Sequence, residues 1–213
     1  MNFESKYLIR WGIPGWTFIT LGTIITIINF PDFVEDNFES SSQLLSITGV
    51  LLIAGVPVGY LFHQLYFFFG WVLLHKPLNR TKTMTEYLIS KRLLEFIKDD
   101  YFRLEVAWHA TMADMSKDKR DYVTSRYSHL LSTTHSLGVL SIVLGLILAI
   151  DVIVFYFTSK WYNLIFLLIN LVMLVSSIGN FVYYSKNKNH YMSMMLSASS
   201  MNLIEEDSEE NKQ

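Results

Sequence analysis

The chain contains no cysteine, which excludes a disulfide framework, an iron–sulfur cluster and thiol catalysis. Proline is scarce, at Pro14, Pro31, Pro57 and Pro77, and only Pro57 lies deep inside an apolar run. Glycine is missing from every polar segment: all ten glycines fall in hydrophobic stretches. That distribution excludes a Gly-rich phosphate loop. It suits helices whose backbones approach closely in lipid. Charged residues make up only 17% of the chain and nearly cancel, leaving a net charge of −2 that points to no class of partner.

Apolar residues are half of the composition, and mean hydropathy is positive at +0.30. They collect in long runs, which places the chain in the membrane class. The longest is 44–74, LLSITGVLLIAGVPVGYLFHQLYFFFGWVLL. As one helix it measures roughly 46 Å, more than the roughly 30 Å hydrocarbon core of a bilayer. Pro57, flanked by Gly55 and Gly59, removes a backbone hydrogen bond in its middle, so the run is expected to span with a kink there. The first apolar run, 11–30, follows Lys6 and Arg10 and is too long for a secretory leader, with no small-residue cleavage site after it. Trp11 and Trp16 are expected as interface anchors and Pro14 as a first-turn proline. Two further runs, 137–157 and 161–184, are separated only by Thr158, Ser159 and Lys160, the spacing of a tight helical hairpin.

The expected fold is therefore all-α, a polytopic membrane protein with four transmembrane helices and a helical cytoplasmic insertion between the second and third. Residues 1–74 form the first hairpin, 75–136 the insertion, 137–185 the second hairpin and 186–213 a tail whose end is disordered. The insertion holds eleven of the seventeen basic residues against eight carboxylates. Leu88, Ile89, Leu93, Phe96 and Ile97 recur in it at helical spacing, and Asp99-Asp100 reads as a break and a fresh cap. From Lys117 to Gly138 no glycine or proline interrupts the chain, so a helix is expected to run continuously into the third span.

Orientation follows from charge. With the N-terminus, insertion and tail on one side, sixteen Lys and Arg lie there and only Lys160 lies opposite. The short connection after the first span carries Asp32, Glu35, Asp36 and Glu39 and no basic residue. This predicts a plasma or inner membrane protein with both termini cytoplasmic. The lipid bilayer is the expected partner of the basic insertion, since an anionic leaflet meets its +3 charge, eleven minus eight, more economically than nucleic acid does.

Intramembrane polar groups are the first candidates for function. At about 1.5 Å per residue, Asp151 lies about 10 Å from the outer end, level with Thr23, Ser46 and Asn170. His63, Gln64, His135 and Asn180 fall near the inner interface. Asp151 reads either as a cation-selecting carboxylate, which a symmetric oligomer turns into a ring, or as a helix-to-helix contact satisfied by Asn170. Pro57, His63 and Gln64 are gating candidates against a plain reading as a static kink and a wetted interfacial pair. Gly138, Ser141, Gly145 and Ala149 recur as a small-residue stripe suited to helix packing.

No histidine or carboxylate spacing matches a metal motif: His109, His129 and His135 with Asp114 and Asp121 read as surface groups, and Met192, Met194, Met195 and Met201 as packing residues. No metal and no cofactor is expected. The stretch Arg103-Leu-Glu-Val-Ala-Trp-His109 resembles the Arg-to-His motif of HEPN ribonucleases, where the pair acts on RNA phosphodiesters; that family usually has a polar residue after the Arg, and here it is Leu104. The favoured expectation is not an enzyme. It is a homo-oligomeric gated pore or membrane effector whose cytoplasmic helices sense a protein partner or small ligand. A membrane-tethered HEPN-like ribonuclease using Arg103 and His109 and a non-catalytic membrane scaffold are the alternatives, with small-solute transport behind them.

Overall fold

A computed structural model describes the backbone over 3–33, 41–69 and 108–210, and the side chains over 10–33, 43, 46–69 and 108–196. The described residues are helical apart from short connections, with no strand among them. Four helices follow one another: α1 (Phe3–Asn29), α2 (Ser41–Phe67), α3 (Lys117–Thr158) and α4 (Trp161–Glu210). All four are long and apolar enough to cross a membrane. A short helical run over 108–113 precedes α3, and a π-type turn over 68–69 follows α2. Residues 70–107, including Arg103, Asp99-Asp100 and the periodic leucines of the insertion, lie outside the described residues.

The helix limits follow from local chemistry. The backbone N–H of Arg120 donates to the carbonyl of Ser116 at 2.9 Å, and Asp118 sits in the first turn of α3, where a carboxylate meets the positive end of the helix dipole. At 42 residues α3 is about 63 Å long. It ends where Ser159 takes φ 50° and its N–H donates to the carbonyl of Phe155 at 2.8 Å, a left-handed cap on a residue that is not glycine. The backbone of α4 runs on past Tyr184, the expected end of the fourth span. It continues to Glu210, since no glycine or proline follows Gly179 to stop it. Helix α1 begins at Phe3, so Pro14 stands well inside it rather than in a first turn.

The chain divides into two compact units, one of residues 1–68 and 134–182, the other of 69–133 and 183–213. In the first, Phe62, Val139 and Val143 are buried with Phe18, Val58 and Tyr66 packed on them, and the Phe18 and Phe62 rings stand 4.9 Å apart. Much of the apolar surface there stays uncovered. Only 11% of the most apolar window of α4 and 22% of that of α2 are buried, and Ile53, Tyr156 and Phe157 are more than three-quarters exposed. Apolar patches of that extent match a hydrocarbon surrounding. In the second unit, Trp108, Met112, Val123, Met192 and Leu196 form the core, with Met115, Tyr127, Tyr191 and Met195 against it. The flexible thioethers let straight helices fill an irregular gap around Trp108, whose ring lies 4.8 Å from that of Tyr127.

Candidate functional site

Within the membrane-type unit, the polar side chains form rungs between helices. Asn163, Asn170 and Ser177 of α4 lie seven residues apart and are all buried. A seven-residue repeat keeps side chains on one seam of a helix, with steps of about 10.5 Å. Each meets a polar partner. Asn163 Nδ2 donates to Thr158 Oγ1 and to Asn29 Oδ1 of α1, both at 2.7 Å. Asn170 Nδ2 donates to Asp151 Oδ2 at 2.8 Å. The hydroxyls of Ser177 and Ser141 lie 3.0 Å apart, and both can donate to the carbonyl of Leu137, at 3.3 and 2.8 Å. Thr158 faces Asn163 and Asp151 faces Asn170 in one antiparallel register, because stepping back seven residues in α3 matches stepping forward seven in α4.

This arrangement has chemical consequences. Asp151 is 5% exposed and Asn170 2% exposed, so the carboxylate is enclosed within one protomer and bonded to a neutral amide. Among the described residues, Asn170 Oδ1 is buried without a hydrogen-bond partner. The pair therefore keeps one acceptor in reserve, in a setting where unmet polar groups are costly. Asn29, Asn163 and Ser177 were not singled out by the sequence. Asparagine and serine carry no charge, and the one signal in the sequence, the seven-residue recurrence of 163, 170 and 177, does not reach Asn29.

Helices α1 and α2 meet differently. A Cβ added at Gly15 would strike the Gly55 carbonyl, one at Gly59 the Trp11 carbonyl, and one at Gly55 the Trp16 ring. Gly55-Val-Pro-Val-Gly59 is thus a small-xxx-small face that brings backbones together. Trp16, rather than serving only as an interface anchor, lies on Gly55 and donates its indole N–H to the Leu52 carbonyl at 2.8 Å. Pro57 is exposed within an unbroken α2.

His63 is 2% exposed, while Gln64 beside it is exposed. Its Nε2 lies 3.4 Å from the carbonyl of Arg10. That carbonyl is four residues before Pro14, whose ring nitrogen has no hydrogen to donate to it. A carbonyl only accepts, which assigns the ring hydrogen to Nε2. Nδ1 is buried and has no hydrogen-bond partner among the described residues. The His63 ring also neighbours that of Phe67 at 6.4 Å.

The remaining candidates are scattered. In the small-residue stripe, Gly138 is buried with Tyr66 and Phe181 at the place of its missing Cβ, and Ser141 reaches Ser177. Gly145 meets nothing within 4 Å of an added Cβ, and Ala149 is exposed. His109 is exposed, and its partner in the ribonuclease-like motif, Arg103, lies outside the described residues. No group of three or more His, Asp or Glu placed to hold a metal ion occurs among the described residues. Compared with family models, curated proteins and solved structures, the chain matches none.

Proposed function

We propose that the protein is a multi-pass membrane effector that works as a homo-oligomer, with a cytoplasmic helical region sensing a protein partner or small ligand and the α3–α4 hairpin carrying the response into the bilayer. The observation that supports this is the continuity of α3 and α4, 42 and 50 residues without a break. At about 63 and 75 Å they are roughly twice the thickness of a hydrocarbon core. Three polar rungs tie the membrane part of the hairpin together, which suits a hairpin whose two membrane helices respond jointly. Cytoplasmic placement of both termini rests on the sixteen-to-one distribution of basic residues.

The test is the subunit count of the purified protein in nanodiscs by mass photometry, followed by current recordings in planar bilayers. A closed ring of four or more subunits with ion currents that Thr133→Pro disconnects from activation supports the reading. A monomer without currents overturns it.

A scaffold reading is favoured by one observation, the enclosure of Asp151 within its own protomer by Asn170. A scaffold tolerates Asp151→Asn with unchanged assembly, whereas a conducting carboxylate changes the conductance when neutralised. The ribonuclease alternative is separable as well: it requires RNA cleavage by the wild type that Arg103→Ala abolishes while leaving assembly intact. The effector reading expects no cleavage from either.

A further inference from the structure

The end of α1 and the start of α4 enclose a groove of about 170 Å³. Its floor includes Ile25, only 4% exposed, and its rim includes Ile169 and Trp161, 53% and 73% exposed. Its two amides, Asn29 and Asn163, bond to each other: Asn163 spends both amide hydrogens on Asn29 and Thr158, and Asn29 Nδ2 donates one of its two to the carbonyl of Ile25 at 3.0 Å. The rest of the lining is mainly hydrocarbon, and the Tyr162 hydroxyl in it donates to the carbonyl of Ile28 at 3.4 Å. An open, mainly apolar groove on helices of membrane-spanning length takes up apolar matter.

The rim is not neutral. Tyr162 lines the groove, and the ammonium of Lys160 stands 5.6 Å over its ring. Lys160 is the only basic residue of either short interhelical connection. A lysine and an exposed tryptophan at one end of an apolar slot form the pairing of charge and amphipathic ring found at a membrane interface. A positive charge there complements a phosphate.

We propose that this groove holds one glycerophospholipid of the surrounding leaflet, an acyl chain lying along Ile25 and Ile169 and the phosphate at Lys160. The inference depends on the four helices crossing a bilayer and not on the effector reading, so either stands if the other fails.

The test is native mass spectrometry of the delipidated full-length protein in detergent, titrated with dioleoylphosphatidylethanolamine and, separately, with dioleoylglycerol. The expected result is a saturable adduct of one phospholipid per chain and a much weaker one for dioleoylglycerol. Lys160→Gln should weaken phospholipid binding about fivefold, the effect of one basic side chain near a phosphate surface, and Lys160→Arg should preserve it. Ile169→Trp, which fills the groove from its exposed rim, should remove the saturable adduct. Equal binding of the two lipids, adducts without saturation, or Lys160→Gln behaving as wild type would overturn the proposal. If Ile169→Trp lowers helix content by circular dichroism, the comparison of Lys160→Gln with Lys160→Arg carries the test alone.

Discussion

Helices α1 and α2 are held by close backbone approach, α3 and α4 by polar rungs. In the first pair, Gly15 lies on Gly55 and Gly59 on the Trp11 carbonyl, so the attraction is dispersion between main chains and leaves no room for a methyl group. In the second, Thr158–Asn163, Asp151–Asn170 and Ser141–Ser177 repeat along the seam. Lipid is as apolar as leucine and does not drive helices together by itself, so an association in it needs one of these two devices. The contrast teaches where each pair is vulnerable. Steric contact fails abruptly when volume is added, whereas a ladder of weak bonds fails in steps.

The largest expected effect breaks the first device. Gly15→Ala forces a methyl group into the Gly55 carbonyl and should destabilise the protein by about 3 kcal/mol, the upper range for overpacking. Thermal unfolding in detergent should show a large fall in Tm. Gly145→Ala, where an added Cβ meets nothing, should leave Tm unchanged or slightly raised. Gly145→Leu isolates oligomerisation: it should spare the fold of the protomer, and a drop in subunit count would place that face of α3 against another copy.

Next in size is the coupling between His63 and Pro14. His63→Leu removes a donor from the Arg10 carbonyl, a loss of about 1–3 kcal/mol for a buried polar group. In a Pro14→Ala background the helix supplies its own donor, so the same His63 substitution should cost less. A double-mutant cycle read by thermal unfolding would show that non-additivity. Additive losses would mean that His63 acts by packing against Phe67 and not by its bond.

A smaller effect is expected for a single rung. Asp151→Leu and Asn170→Leu, combined in a cycle, should show a coupling between about 0.6 kcal/mol, the average for hydrogen bonds between membrane helices, and about 1.7 kcal/mol, the largest. A coupling near zero would sever the comparison drawn above, since the seam would then be held by its apolar contacts. The smallest change is a gain. Ser159 holds φ 50° at the turn of the hairpin, and Ser159→Gly removes the penalty of a left-handed L-residue, raising stability by about 1 kcal/mol.

Several of these features were legible in the residues. The apolar runs mark the four helices, and the absence of glycine or proline between Lys117 and Gly138 marks the continuity of α3. Counting residues from the outer ends placed Asp151 level with Asn170, the residue that binds it. The same counting also placed Thr23 and Ser46 at that depth, because depth is a property of one helix while contact depends on how two helices are rotated. The small-residue stripe on α3 illustrates the same point. Gly138 and Ser141 face neighbours, but Gly145 and Ala149, spaced just as regularly, do not. Gly55 and Gly59 drew attention as neighbours of a proline, although their role is the contact with Gly15 and Trp16.

Hydrophobic length and charge placement, which act within one helix at a time, determined by themselves that this chain is helical, that four of its helices are long and apolar enough to cross a membrane, and that its basic residues crowd toward one set of ends. Rotation and register were decided only in the tertiary structure. They set Asn29 beside Asn163, put His63 at the carbonyl four residues before Pro14, and turned Gly15 rather than Gly145 toward a partner. The physical reason is that lipid rewards every apolar face alike, so only the summed fit of glycines and polar pairs between neighbouring helices distinguishes one rotation from another.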